Sequence, residues 1–346
     1  MPIIPEKSDR EPLLPIRHPN NDFFVCDISD AMPKDDMGSM EHPMFTLSTK
    51  PDLRVLKYRN NDISVEVTPS VKGLATVYDK DILIYCVSQL IAKMNMGVKP
   101  SKTVHLQAYD LLVATNRQTG GEAYTRLVEA MERLRGTSVT TNIETNNEVV
   151  TAGFGLIDKW DVVKRHRDGR MVSMSVTISD WLYNAVLGRE VLTLNRDYFR
   201  LRKPIERRIY EIVRKHCGKQ KEWRVGIETL FNKCGVASPL KRFRQMMRDL
   251  CAQDHLPDYR IIMDGGDTVV FYNREADEEQ EEEIVYPRIN PETYHDAKIV
   301  APGYDVYGLE QEWREFWVDS GQPELRSPDG AFVAFCKSRA KRKPMG

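Results

Sequence analysis

At 346 residues, with 41% hydrophobic and 29% charged side chains, the chain is long enough for two or three domains with real cores. Its mean hydropathy of −0.48 and a longest apolar run (ILIYCV) of about six residues argue against a membrane-spanning protein, which needs ~20. The six cysteines, at 26, 86, 217, 234, 251 and 336, have no CxxC spacing, which excludes the common zinc arrangements and suits reduced thiols in the cytoplasm.

The net charge of −1 averages opposed regions. Residues 156–275 hold 24 Lys and Arg against 16 Asp and Glu, while EADEEQEEE, which runs on directly from residue 275, is almost purely acidic. A basic body beside an acidic tether suits a nucleic-acid partner, although solvated surfaces share that composition.

Residues 1–43 carry prolines at 2, 5, 12, 15, 19, 33 and 43 and little periodicity. They are expected to form a mobile arm with no secretory signal, in which FFVCDI could dock on the body or a partner. Short alternating segments over 44–70 predict strands. The first clear helix is Asp79 to Met96, with Ile82, Cys86, Leu90 and Met94 spaced by four and Gly97 closing it. An extended TVHLQ and a helical AYDLLVATN follow. Thr119 then opens a third helix as an N-cap, with Glu122 completing a Thr-x-x-Glu box and Ala123, Leu127, Met131 and Leu134 as its core face. SVTTNI and EVVTAGFGLI read as strands around ETNN. LIDKWDVVKRH and RMVSMSVTIS read as a hairpin turned at Asp168-Gly169, with Val172, Met174, Val176 and Ile178 inward.

The second half repeats this plan. Helix 204–217, the extended WRVGI and the helix ETLFNKC lead to SPLKRFRQMMRDLCAQDHL, where Ser238 suits the N-cap and Pro239 the first helical position. DYRIIM and TVVFYN follow as a hairpin across Gly265-Gly266. From Leu111 to Thr119 is eight residues, and from Leu230 to Ser238 is also eight. The shared order and spacing predict an α+β chain with tandem winged helix-turn-helix domains, an elaborated β-hairpin wing and a small C-terminal helical module. The expected boundaries are 44–195 and 196–275 for the winged helices, 276–305 for an acidic, Pro-containing linker, and 306–346 for the C-terminal module.

The two cationic helices differ. The first alternates Glu122, Arg126, Glu129 and Arg133, a face that satisfies itself or meets another subunit. The second presents Lys241, Arg242, Arg244 and Arg248 behind Ser238, and is the candidate to enter a DNA major groove. The hairpin tip, with Lys164, Arg165, Arg167 and Arg170, is either a backbone-gripping wing or a soluble turn. Arg200, Arg202 and Lys203 in the connecting segment favour the wing. Arg117, Thr119, Tyr124 and Arg126 would supply contacts from the first lobe, or form a dimer face. Near the C-terminus, Trp313, Phe316 and Trp317 share a helical face that either docks a partner or packs on the body.

No P-loop, dinucleotide turn, GxSxG or zinc spacing exists, and no His-x-His pair stands near Tyr198 to support DNA nicking. The chain reads as a non-enzymatic binder of double-stranded DNA without cofactor or metal. A winged-helix transcription regulator is the alternative, and a nicking enzyme using Tyr198 a remote one.

The long run SDWLYNAVLGREVLTLNRDYFRLRKPIERR, with GFGLIDKWDVVKRHRDGRM before it, resembles the plasmid replication initiator protein A family of bacteria over roughly residues 70–275. The resemblance implies a tandem winged-helix initiator that binds repeated sites at a plasmid origin and marks or opens it. It also implies recruitment of a host initiator ATPase and the replicative helicase, repression of its own promoter, and exchange between homodimer and monomer.

Overall fold

The computed structural model describes residues 12–19, 32–60, 62–143, 145–146, 152–164, 171–264, 267–276, 286–320, 323, 325 and 327–342. The segments FFVCDI, the hairpin tip 165–170, the Gly265-Gly266 turn and most of the acidic tether lie outside them. Contacts divide the chain into two units, Met1–Glu278 and Glu279–Gly346.

The first unit opens with docked chain. The Leu14 amide donates to the Arg200 carbonyl at 2.8 Å, the Arg17 amide to Asn116 Oδ1 at 2.8 Å, and His18 Nε2 lies 2.8 Å from the Arg117 carbonyl. β1 (Lys34–Asp36) pairs with Val191–Thr193, and α1 (Met37–Glu41) is capped by Asp36, which accepts from the Ser39 amide at 2.7 Å. The expectation of a mobile 1–43 is thus corrected for 12–19 and 32–43. Their prolines give no periodicity, but distant groups satisfy their backbone.

β2 (Leu56–Asn60) and β3 (Ile63–Thr68) form a hairpin. α2 (Lys80–Asn95) is buried continuously from Lys80 to Ala92, on all faces, and so becomes the central helix. β4 (Thr103–Leu106), α3 (Ala108–Ala114) and α4 (Gly121–Gly136) follow, and α4 buries Leu127, Ala130, Met131 and Leu134. The expected Thr119 capping box does not form. The N-cap is Gly120, so the helix starts one residue too late for it, and Glu122 pairs with Arg126 at 2.5 Å instead.

β5 (Ser138–Thr141) and β6 (Ala152–Gly155) extend the first hairpin into an antiparallel sheet of order β2-β3-β5-β6. β7 (Ile157–Lys164) and β8 (Met171–Ile178) make the long hairpin, and β4 joins it in the order β4-β8-β7. Met174, Val176 and Ile178 are buried, as the alternation predicts. α5 (Asp180–Leu187), β9 (Val191–Thr193) and a 3₁₀ turn (Arg196–Arg200) lead to α6 (Pro204–His216). Then come β10 (Glu222–Gly226), α7 (Ile227–Cys234), α8 (Leu240–Gln253), β11 (Tyr259–Met263) and β12 (Thr268–Asn273). The last sheet has the order β10-β12-β11. In both three-stranded sheets, the strand that precedes the helix pair sits at an edge and pairs with the last strand.

The two halves of this unit meet across buried charge. Lys80 Nζ lies 2.6 Å from Asp35 and 3.1 Å from Glu211, all three at 1% side-chain exposure or less. Asp81 receives Arg207 at 2.6 Å and Arg117 at 2.9 Å. Burial pulls the Lys80 ammonium down, but the carboxylates of Asp35 and Glu211 outweigh it and the net shift is upward. Tyr198, fully buried, donates its hydroxyl to Glu211 at 2.6 Å.

Among its described residues the second unit has three helices, α9 (Thr293–Val300), α10 (Val306–Asp319) and α11 (Pro328–Arg342), around Ala297, Ala301, Val306, Leu309, Trp313, Phe332 and Cys336. α9 corrects the expected linker over 276–305, whose later part is helical and packed. Asp329 at the start of α11 holds that part in place, accepting from Asn290 N at 2.8 Å, Asn290 Nδ2 at 2.7 Å and Thr293 Oγ1 at 2.7 Å.

Candidate nucleic-acid interface

α8 is seated by its apolar stripe. Phe243, Met247 and Leu250 are buried, and Phe243 meets Phe231 of α7 edge-on with ring centroids 5.5 Å apart. Pro239, with φ −57° and ψ 150°, occupies the N-cap position, so α8 also begins one residue later than expected. Ser238 is not the cap, and its hydroxyl makes no hydrogen bond.

The seat of α7 is fixed by Arg208 of α6. Its guanidinium donates to the carbonyls of Ser39 at 2.8 Å, Met40 at 3.0 Å, Glu41 at 2.9 Å and Lys233 at 2.8 Å, and lies 3.2 Å from Glu211. These carbonyls are the unsatisfied C-terminal groups of α1 and α7, so a single side chain ties both helix ends to α6. Gly235 ends α7 in the left-handed region (φ 65°), where a Cβ would stand 2.6 Å from Pro43 Cβ. Only glycine brings the α7–α8 turn this close to the segment after α1.

On this platform the sequence candidates separate into two groups. Lys241 and Arg242 are exposed, and among the described residues neither side chain has a hydrogen bond or ion pair. Arg248 is exposed too, with only Gln245 Oε1 at 3.5 Å. Arg244 is committed elsewhere: its guanidinium meets Asp267 at 2.8 and 3.2 Å. The acid in the β11–β12 connection was not singled out as its partner, because nothing local in the sequence links residue 267 to 244.

In the first lobe most candidates are structural. Arg117 is turned inward to Asp81 and the Tyr78 carbonyl, and Arg200 holds the Leu14 carbonyl at 2.7 Å and Asp197 at 3.0 Å. For these two the expected ligand contact is corrected to an internal tie. Thr119 and Tyr124 are partly buried, and Tyr124 packs on the core. Arg126 pairs with Glu122 within α4, and Arg133 clamps Asp79, just before α2, at 2.8 Å through two nitrogens, so both arginines of the charge-mixed face have carboxylate partners. Arg202 and Lys203 are exposed, the latter 3.5 Å from Glu206. Lys164 ends β7, and Arg165, Arg167 and Arg170 lie outside the described residues.

In the C-terminal unit Trp313 is core, at 3% exposure, which corrects its expected role as a docking residue. Trp317 is nearly buried and donates Nε1 to the Pro323 carbonyl at 2.9 Å. Phe316 is 59% exposed.

A family model described as replication initiator protein A matches residues 34–261. The chain belongs to that family. A Wigglesworthia glossinidia brevipalpis protein, called a replication protein by name alone, is 36% identical over 244 residues, covering 69% of this chain and 88% of that one. The crystal structure of RctB domains 2-3 aligns with a TM-score of 0.47 at 14% identity, covering 69% of this chain and 98% of that one. A selenomethionine form of the same two domains gives 0.46 at 13%, over 66% and 94%. In this family member the most distinctive run, 179–208, forms α5, β9, the 3₁₀ turn and the start of α6. Its Tyr198, Arg207 and Arg208 are all buried. This run builds the joint between the halves. Among the described residues no helix is long and apolar enough to cross a membrane, and no cluster of three or more His, Cys, Asp or Glu could hold a metal.

Proposed function

We propose that this initiator acts at a plasmid origin by binding repeated sites in double-stranded DNA through two winged helices, over 44–195 and 196–275. Supporting that reading, each half runs helix, strand, helix, helix and hairpin, with β5 and β6 inserted before the hairpin in the first half, and each hairpin pairs its last strand with the strand before the helix pair. α8 is the recognition helix. The observation that carries this assignment is that Lys241 and Arg242 stand exposed and uncommitted near its N-terminus, while Arg244 is held by Asp267. Lys241 and Arg242 reach base edges or phosphates, and Arg248 steadies the backbone. Arg202 and Lys203, with the basic tip beyond Lys164, add phosphate contacts.

The role is non-catalytic. Tyr198, the candidate nucleophile for nicking, is 0% exposed and bonded to Glu211, and burial raises its hydroxyl pKa well above the usual value. Its burial sets the hydroxyl away from the surface where a scissile phosphate would lie, which weighs against nicking through this residue. Bound at the origin, the protein marks or opens it, recruits a host initiator ATPase and the replicative helicase, represses its own promoter, and exchanges between homodimer and monomer. The C-terminal unit offers Phe316 to a replication partner.

The test is a footprint on the DNA flanking the protein's own gene at two salt concentrations. Regularly spaced protection that survives higher salt is expected. Uniform protection that salt removes would reduce the protein to a phosphate binder.

A further inference from the structure

β2 is an edge strand, since its sheet runs β2-β3-β5-β6 and nothing among the described residues pairs beyond it. Along it Leu56 and Tyr58 pack on the core, so Lys57 and Arg59 share the opposite, exposed face. Two residues apart on a strand, they stand about 6.6 Å from each other. Lys57 has Glu66 at 3.0 Å, with 70% of its side chain exposed. Arg59 is exposed and has no hydrogen bond or ion pair among the described residues. Arg54, just before the strand, is 56% exposed, and Asp52 holds its guanidinium in place at 2.6 Å.

These three cations form one wall of a groove of about 580 Å³. The other wall is α7, through Thr229 and Asn232, and the 235–237 turn that leads into α8. No aspartate or glutamate is among the described residues that line it. The exposed polar groups of that wall, Thr229 and Asn232, are neutral donors of the kind that phosphate oxygens accept from.

Lys57 and Arg54 each have a carboxylate just outside the lining, Glu66 and Asp52, while Arg59 has no partner among the described residues, so this groove, polar on its second wall and opening beside the N-terminal end of a basic helix, favours an anion that can share those cations. We propose that the groove between β2 and the α7–α8 turn binds the phosphodiester backbone of the duplex that α8 reads, with Lys57 and Arg59 as its phosphate ligands and Arg54 supporting them. The inference rests on α8 being the recognition helix. It assigns DNA contacts to the first half of the chain by a route other than α4, whose Arg126 and Arg133 are held by Glu122 and Asp79.

The test compares K57A/R59A with R242A by fluorescence anisotropy on duplex DNA flanking the protein's gene and on a scrambled duplex, across a salt series. Both altered β2 side chains are exposed, so unchanged thermal unfolding is expected and checks the fold. For K57A/R59A, affinity should fall equally on both duplexes, and the slope of log affinity against log salt should lose about 1.8, roughly 0.9 per phosphate contact. For R242A the loss should be larger on the native duplex. If R242A behaves so while K57A/R59A keeps the wild-type slope, the groove is not a DNA site and the inference is overturned. If K57A/R59A instead loses only inorganic phosphate binding, measured by calorimetry, the groove serves a small anion and the inference is again overturned. If R242A changes neither affinity nor preference, the recognition-helix reading fails, whatever the groove does.

Discussion

At the scale of single residues, the decisive property is whether a cation already has a partner. Sequence position put Arg242 and Arg244 on equal terms. The fold makes Arg242 available and gives Arg244 to Asp267. Arg242→Ala is therefore expected to weaken binding to the native site by about 1–3 kcal/mol if it pairs with a base, read from binding isotherms on matched and mutated sites. Asp267→Asn should act in the opposite direction. It frees Arg244 and removes a negative charge from the same surface, so affinity rises, most at low salt. Its effect on folding should stay below about 1 kcal/mol, because the carboxylate is mostly exposed. Tyr198 carries the reverse lesson: a tyrosine in a basic stretch suggests chemistry until its burial is known. Tyr198→Phe leaves Glu211 short of a donor and should cost about 1–3 kcal/mol in urea unfolding, with no change in the integrity of supercoiled DNA.

At the scale of elements, periodicity made helices and strands legible, and it failed where structure depends on distant groups. The apolar repeats of α2, α4 and α8 and the alternation on β8 carry their own evidence. The starts of α4 and α8 each fall one residue late, because a cap is chosen by how the incoming chain is held as well as by its side chain. α9 escapes the pattern because a short polar helix fully buries only Thr293 and Ala297 and packs Tyr294 and Val300 partly against its core. The docking of 12–19 runs largely through backbone groups and Asn116, which leave no pattern. The α7–α8 turn depends on Gly235, legible as a helix stop but not as a contact with Pro43. Gly235→Ala should destabilise the first unit by 1 kcal/mol or more, from the left-handed φ and the 2.6 Å approach together, and should shift α8 enough to weaken DNA binding. His42, at the C-terminal end of α1, is buried beside Arg208, and desolvation first and that charge further down hold its pKa at about 4. The unfolded chain, at 6.5, takes up this proton first as pH falls. Stability should thus drop between pH 6.5 and 4 by about 3 kcal/mol, visible as a falling urea midpoint that His42→Phe flattens.

At the scale of the whole molecule, the charge separation seen in the sequence becomes a division of labour. A basic unit presents α8, and a second unit, past the acidic tether, presents Phe316. Removing 287–346 should leave DNA affinity unchanged while plasmid maintenance fails, measured by binding and by retention without selection. Equal retention would favour a transcription regulator. The buried charges between the halves of the first unit carry a different consequence. Lys80 comes from one half, Glu211 from the other, and Asp35 from a segment that precedes both. Arg208 likewise reaches from the second half to the carbonyls of residues 39–41. A cut at 195/196, or a fragment beginning at 44, would therefore strand charges that water does not reach in the intact protein. The repeat tempts one to express each half alone, yet neither should be soluble without the other. Shared buried ions thus tie together two halves that a similar order of elements would suggest treating apart.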